Sequence, residues 1–221
     1  MEIYKPNFKQ VYTVANEILL AAETIATFPF SVTKMIQEMT DINCCSFKRA
    51  LRHGVDIAKL GSDSAIIAEL GGMTVIFYND NENEQRVRFS LLHELGHYIL
   101  NHDKDIQDKS IYNKQEIEAN CFAAQILMPE QILMELQRRG KRINQEFLIE
   151  YFNVSREAAT KRIETMHKLN YEYRTKSDKE FDDWLITKYN AFVDSIIPRQ
   201  KSIDWFEDEY ERQRDRDRWC W

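Results

Sequence analysis

The chain has 221 residues, a formal net charge of −6 and 43% hydrophobic residues. This length and apolar content suffice for a packed core, and the acidic balance argues against a protein that binds mainly nucleic acid or anionic membrane. No apolar run approaches the roughly 18 residues of a membrane-spanning helix, and the N-terminal segment lacks the layout of a signal peptide. The four cysteines include an adjacent pair and no Cys-x-x-Cys, which favours reduced thiols over a disulfide framework. We therefore expect a cytoplasmic protein without a membrane partner.

Two helices are predicted in the first 40 residues. Apolar residues at helical spacing predict one helix over 9–28, which Pro29 would end. Ser31 is a suitable N-cap for a second, shorter helix that reaches Met39. Residues 42–60 carry no clear periodicity and are ambiguous.

Strands are predicted in the middle of the chain. Met73–Tyr78 is rich in β-branched and aromatic residues and follows two glycines, which is typical of a strand after a turn. Ser64–Leu70 is the expected partner strand, and Arg86–Phe89 is read as a short third piece.

A His-Glu-x-x-His motif at 93–97 lies in an apolar, helix-compatible run that Ser90 would cap and Asn101 would end. On a helix, His93 and His97 lie one turn apart on one face, with Cβ atoms about 5–6 Å apart, so both imidazoles can reach one Zn²⁺. Glu94 is offset by roughly 100° around the axis, where a general base for an attacking water would lie. The motif predicts a zinc-dependent hydrolase.

A catalytic zinc needs a third protein ligand, and the helix that follows the motif offers candidates. This helix is predicted to begin at Asn113, three residues before Glu116, and to end at Pro129. Glu116 and Glu118 project roughly 200° apart, so only one can face the motif. Glu118 lies inside the apolar arc, whereas Glu116 would have a capping role, and this favours Glu118 as the ligand. Cys121 is a further alternative, although a buried thiol is more often inert.

Two motifs together resemble the ImmA/IrrE family of metallo-endopeptidases. They are His-Glu-Leu-Gly-His at 93–97, followed by His102, and Glu-x-Glu-Ala-Asn-x-Phe-Ala-Ala-x-x-Leu-Met-Pro at 116–129. The resemblance covers about residues 10–165. It implies an α+β fold, a small zincin-like metalloprotease core of helices and a three-stranded sheet.

The resemblance also implies roles for individual residues. His93, His97 and the glutamate before Ala-Asn, which is Glu118, would bind Zn²⁺, and Glu94 would be the catalytic base. Members of this family cut a helix-turn-helix repressor of a mobile element, prophage or stress response. The resemblance therefore implies limited, site-specific cleavage of a protein of that kind.

Other residues near the motif are candidates for supporting roles. His102 could contact substrate or an anionic intermediate, or cap the last helix carbonyls. Tyr98 and Tyr112 could stabilise an oxyanion. A zinc-bound histidine donates its second ring N–H to an acceptor, for which the sequence offers three nearby carboxylates, Asp103, Asp105 and Asp108.

A different functional class is suggested by residues 143–163, which resemble a helix-turn-helix. Its second helix bears Arg156, Lys161 and Arg162, so the chain could be a zinc-dependent DNA-binding or sensory regulator without protease activity. Several glutamates share that region and the whole chain is acidic, which disfavours phosphate contact. DNA binding is therefore the weaker hypothesis.

Three segments are predicted. They are a metallopeptidase core with N-terminal helices (1–135), a helix-turn-helix-like segment (136–168) and a charged helical tail (169–221). The absence of Gly and Pro over 141–197 predicts that this stretch is almost wholly helical. The residues from 199 onwards mix both charges with tryptophans, which is typical of a solvated or frayed helix, with a docking role as the alternative. The sequence carries no signal for an oligomeric state.

Overall fold

The computed structural model describes residues 5–103, 106–166 and 175–198. Its architecture is α+β, with a small mixed sheet surrounded by helices. The N-terminal part contains α1 (Phe8–Ala21), α2 (Val32–Met39), β1 (Asn43–Ser46), α3 (Phe47–Arg52), a 3₁₀ turn (Ile57–Leu60), β2 (Ala65–Leu70) and β3 (Met73–Tyr78). The remainder contains α4 (Glu84–Ile99), α5 (Lys109–Leu127), α6 (Glu130–Arg138), α7 (Gln145–Phe152), α8 (Arg156–Met166), α9 (Lys176–Lys188) and α10 (Asn190–Ile196).

The sheet has the strand order β1-β3-β2, so β3 is central and β2 is an edge strand. β2 and β3 form an antiparallel hairpin around Gly71 and Gly72, whose φ angles of 60° and 79° suit a two-residue turn. β1 pairs with β3 in parallel. One sheet face, with Ile67 and Ile76, joins the main core under α4, and the other face joins a small cluster under α3.

The prediction of strand β3 is confirmed, but the predicted third strand was wrong. Arg86–Phe89 lies inside α4, which begins at Glu84 behind Asn83 and not behind Ser90. The Asn83 side chain accepts a hydrogen bond from the Arg86 N–H at 2.8 Å, which caps the helix. The third strand is instead β1, a four-residue segment from the region that the sequence left ambiguous.

The predicted bounds of two other helices also differ from the structure. α1 ends at Ala21, and the apolar residues Ile25 and Phe28 are buried in the turns that follow it, which explains the helix-like spacing. α5 begins at Lys109 behind Asp108, whose carboxylate accepts from two backbone N–H groups, rather than at Asn113. The second helix, behind Ser31, is confirmed.

The C-terminal helices pack onto the rest of the chain. Leu185, Tyr189 and Val193 are completely buried, and the Tyr189 hydroxyl donates to the Leu19 carbonyl at the end of α1 at 2.7 Å. Most of the described residues of 141–197 are helical, in α7 to α10, with breaks at 141–144 and 153–155. The charged segment from residue 199 lies outside the described residues. Within the described part of the chain, no helix is both long and apolar enough to cross a membrane.

A second link between the segments is a buried polar cluster, which we call the inner network. At its centre Gln125 donates to Asn16 (2.7 Å) and Gln131 (2.9 Å), and its carbonyl accepts from the Glu130 N–H (3.3 Å) and from Arg162 (2.5 Å). Both amide donors and both acceptor positions of Gln125 are therefore used. The network joins α1, α5, α6 and α8, three of which lie in the predicted core segment.

Candidate metal centre

α4 positions the two motif histidines at the border between core and solvent. Leu91, Leu92 and Leu95 are buried against the sheet and α5, while the side chains of His93 and His97 remain 19% and 17% exposed. Their Nε2 atoms lie 3.0 Å apart. Two nitrogens bound to one zinc at about 2.0–2.1 Å in a tetrahedron are separated by roughly 3.3 Å, so the spacing fits a shared ion.

The third group at this point is Glu116 on α5. Its carboxylate oxygens lie 3.4 Å from His97 Nε2 and 3.6 Å from His93 Nε2. One ligand atom from each of the three residues falls within 4.8 Å of the others, and we call this trio the metal cluster. Two imidazoles and one carboxylate, half-buried and facing one point, are a donor set suited to catalytic zinc.

Close packing of α4 against α5 makes this approach possible. A Cβ added at Gly96 would lie 3.0 Å from the Phe122 ring and 3.3 Å from the Ala119 Cα. Gly96 directly precedes His97 in the sequence, so this close approach of the two helices lies next to the metal cluster. A larger side chain there would push the two halves of the metal cluster apart.

The second ring nitrogen of each motif histidine has a partner. His93 Nδ1 lies 3.1 Å from Asn120 Oδ1, and His97 Nδ1 lies 2.9 Å from His102 Nδ1. These contacts leave both Nε2 atoms directed at Glu116. Of the carboxylates expected for this role, Asp108 caps α5 and Asp103 pairs through its backbone with Gln115, while Asp105 lies outside the described residues.

The structure does not bring Glu118 to the histidine Nε2 atoms, which corrects our choice of third ligand. Glu118 is buried on the far side of His97, where Oε2 lies 3.2 Å from His102 Nε2 and Oε1 accepts from the Asn7 N–H. The error follows from the helix start. Because α5 begins at Lys109, Glu116 lies well inside the helix and has no capping role.

Glu94 lies between the metal cluster and the sheet. Its Oε2 accepts a hydrogen bond from the Ile67 N–H of β2 at 3.2 Å. This contact places the carboxylate beside the outer edge of the sheet, next to the histidine that precedes it. The position suits a base that serves a reaction between the metal cluster and a chain lying along that edge.

Of the two tyrosines, Tyr112 is the one at the metal cluster. The charge of Glu116 raises the pKa of its hydroxyl, and burial, a hydrogen bond to that carboxylate and the charge of Glu94 act in the same direction. Its side chain is 51% exposed, at the entrance to the site. Tyr98 is half-exposed on α4 and is not a member of the metal cluster.

Electrostatics favour neutral imidazoles at this site. Burial lowers the pKa of His93, against the opposing effects of Glu116 and Asn120. Burial likewise lowers the pKa of His102, against the opposing charge of Glu118. A neutral imidazole has the lone pair that metal binding requires, so the ligand form is available at neutral pH.

Sequence reasoning ranked Glu116 below Glu118 as a ligand and did not consider Asn120. Glu116 and Asn120 are four apart on α5 and therefore share a face. The Asp108 cap was the signal that could have found them, because an Asp followed by a helix-compatible run is a strong N-cap. With the helix start at Lys109, Glu116 becomes a candidate metal ligand, and Asn120 on the same face becomes a candidate acceptor for a histidine N–H.

The helix-turn-helix-like segment has the predicted geometry but not the expected surface. α7 and α8 are joined by a turn in which Asn153 has a positive φ of 50°. Arg162 is 2% exposed and points into the inner network, and Arg156 forms an ion pair with Glu146 at 3.3 Å. The third basic residue, Lys161, is exposed.

Known proteins are similar to parts of this chain. The family model described as the IrrE N-terminal-like domain matches residues 50–164, just over half of the chain. The chain is 34% identical over 79 residues to the Metallopeptidase ImmA of Bacillus subtilis (strain 168), a match that covers 34% of this chain and 47% of that protein. A solved Mycobacterium tuberculosis transcriptional regulator is similar with a TM-score of 0.46 at 14% identity, over 70% of this chain and 46% of that one. The chain thus spans about half the length of these relatives.

Proposed function

Because the chain belongs to the ImmA/IrrE family, through its IrrE N-terminal-like domain, we propose that it is a zinc-dependent endopeptidase. The observation that supports this most is the convergence of His93, His97 and Glu116 beside Glu94. A purely structural role for two largely buried histidines and the Glu116 carboxylate would not require their ligand atoms to face one point. We place the activity in the cytoplasm, in keeping with the free thiols at Cys44, Cys45 and Cys121.

In this proposal His93, His97 and Glu116 hold the zinc, and Glu116 replaces Glu118 as the third ligand. When bound, zinc supplies Lewis-acid chemistry, lowering the pKa of a water towards about 7 and polarising the scissile carbonyl. The protein holds the three ligands in place through the close α4–α5 contact and through the partners of the two Nδ1 atoms.

Glu94 acts as the general base. Its carboxylate takes a proton from the attacking water as the new C–O bond forms, and then passes it to the nitrogen of the leaving amine as the peptide C–N bond breaks. The Ile67 N–H orients this carboxylate. Tyr112, at the entrance and near both glutamates, is placed to donate to the oxygen on which negative charge develops.

The substrate peptide adds as a strand along the edge strand β2, and not along Met73–Tyr78. Met73–Tyr78 is β3, the central strand, with neighbours on both sides. The Asn79 N–H bonds to the Ser64 carbonyl, so alternate residues of β2 from Ser64 face β3, while Ile67 and Glu69 direct their backbone groups outwards. The outer edge of β2 passes Glu94, which brings an added strand to the base.

The regulatory protein that we propose as substrate is a helix-turn-helix repressor, as the family resemblance implies. DNA-binding repressors carry basic faces, which complement the net charge of −6 and would speed encounter at low salt. The alternative, a zinc-dependent DNA-binding or sensory regulator, loses support because Arg162 is turned into the protein and Arg156 is paired with Glu146.

The test is cleavage of the repressor encoded beside the gene by the purified, zinc-loaded chain. We expect one or a few cuts by the wild type, slower cleavage as salt rises, and poor cleavage of casein. Glu94→Gln should keep its zinc and fold but lose about 10²–10⁴-fold in rate, the usual contribution of a general base. Mass spectrometry of the fragments and metal analysis of both proteins measure these outcomes.

The outcomes separate the two hypotheses. Undiminished cleavage by Glu94→Gln would remove Glu94 as the base. A wild type that binds zinc, cuts no candidate repressor and instead shifts duplex DNA in a salt-dependent manner would favour the regulator. Rapid digestion of casein, insensitive to salt, would indicate a general peptidase.

A further inference from the structure

His102 lies in a buried chain of hydrogen bonds behind the metal cluster. Its Nδ1 is 2.9 Å from His97 Nδ1, and its Nε2 is 3.2 Å from Glu118 Oε2. The His102 and Glu118 side chains are only 6% and 7% exposed. Both ring nitrogens are engaged and the ring is covered, so His102 is not placed to touch substrate, the role that the sequence suggested.

The hydrogen-bond pattern determines where the protons lie. A carboxylate oxygen accepts hydrogen bonds, so His102 Nε2–H is the donor in the contact with Glu118. An imidazole that donates through Nε2 can accept through Nδ1, which makes His97 Nδ1–H the donor in the contact between the two histidines. His97 is thereby held as the tautomer whose Nε2 carries the lone pair that a metal binds, on the side of the ring that faces Glu116.

Glu118 is itself held in place by the chain that precedes α1. It accepts the Asn7 N–H, and Lys114 lies 3.8 Å from the same oxygen. These contacts leave the carboxylate little freedom to turn towards the metal cluster, and they explain why an acidic residue occupies a position that is 5% exposed.

We propose that Glu118 and His102 form a two-residue relay that positions His97 as a metal ligand, with His102 as the positioning residue. The relay rests on the proposed function, since it acts through the site of His93, His97 and Glu116. It assigns different roles to the two glutamates of the Glu-x-Glu pair, because Glu116 would bind the metal and Glu118 would position His102. Asn120 has the corresponding task for His93.

The structure offers a matched pair of substitutions at His102. Asparagine and leucine have the same branched shape, but Asn carries an oxygen close to the position of the imidazole Nδ1, and Leu carries a methyl group. Both lose the bond to Glu118. Only His102→Asn keeps an acceptor for His97 Nδ1, so the difference between the two variants measures that one hydrogen bond.

The experiment measures zinc affinity by competition with a chromophoric chelator, and the histidine tautomers of the metal-free protein by ¹⁵N NMR. Loss of a partner of a metal ligand typically costs about 10–100-fold in affinity, which we expect for His102→Leu. His102→Asn should retain most of the affinity. His97 should be protonated at Nδ1 in the wild type and His102→Asn, and a tautomer mixture in His102→Leu.

Glu118→Gln should have a smaller effect than His102→Leu, because an amide oxygen can still accept from His102 Nε2. His53→Leu, at an exposed histidine after α3, is the control and should bind zinc like the wild type. Thermal unfolding of each variant shows whether a loss of affinity reflects a loss of fold.

Equal zinc affinity and equal tautomers in His102→Asn and His102→Leu, whether both high or both low, would overturn the relay. A wild type without zinc affinity would instead contradict the proposed function. In that case the tautomer measurement still decides about the relay, because it uses the metal-free protein.

Discussion

Helix α5 carries two polar clusters, and their difference indicates which of them is a functional site. Glu116 in the metal cluster and Gln125 in the inner network are nine residues apart, roughly 13 Å along the helix. In the inner network each donor and acceptor of the Gln125 amide has a partner in another residue. In the metal cluster two imidazole Nε2 atoms and a carboxylate face one point. Polar groups that all have protein partners stabilise a fold, whereas converging ligand atoms are suited to a bound cation.

The largest expected effect is on metal binding. Glu116→Ala removes one of three ligands, and we expect zinc to fall from one per chain to a trace after dialysis, measured by elemental analysis. Glu17→Ala, at an exposed glutamate of α1, is the control and should keep its zinc. Full zinc in Glu116→Ala together with loss in Glu118→Ala would restore Glu118 as the ligand.

A substitution in the inner network should lower stability and leave zinc binding unchanged. Arg162→Met removes a charged donor from Gln125, and hydrogen bonds to charged groups are worth about 1.5–3 kcal/mol each. We expect the free energy of unfolding to fall by about 2–3 kcal/mol in urea denaturation, while zinc stoichiometry is unchanged. Lys161→Met, at the exposed neighbouring residue, should change stability by less than about 0.5 kcal/mol. A loss of zinc in folded Arg162→Met would show that the two clusters are coupled.

The smallest effect is expected where α4 and α5 touch. Gly96→Ala places a methyl group 3.0 Å from the Phe122 ring, and overpacking of this kind costs about 1–3 kcal/mol. The higher helix propensity of alanine compared with glycine offsets about 1 kcal/mol of this cost, so the net loss of stability should be near 1 kcal/mol. Zinc affinity should fall as well, because the ligands on the two helices separate. Unchanged affinity in calorimetric titration would mean that the helix spacing does not govern the site.

The sequence was sufficient to predict features that depend on local spacing and composition. The spacing of His93 and His97 depends only on helix geometry, and the period and composition of Met73–Tyr78 identified β3 with its observed bounds. α2 was likewise predictable, because Ser31 caps it as expected.

Features set by tertiary contacts were harder to predict. β1 has four small or polar residues, Asn-Cys-Cys-Ser, and is a strand because it pairs with β3 rather than because of its composition. The choice between Glu116 and Glu118 depended on where α5 begins and on which side of it α4 lies. Both glutamates proved to be near the motif histidines, one on each side of His97.

The contact between α1 and the C-terminal helices has a consequence for biosynthesis. Lys188 donates to the carbonyls of Leu19, Leu20 and Ala22, and Tyr189 donates to Leu19, 170 residues earlier in the chain. At synthesis rates of about 5–20 residues per second, the end of α1 lacks these partners for roughly 10–35 s. Contacts of such long sequence separation also slow the closing of the core after release. The nascent protein therefore exposes apolar surface for much of its translation, and chaperone binding during that interval should favour its yield.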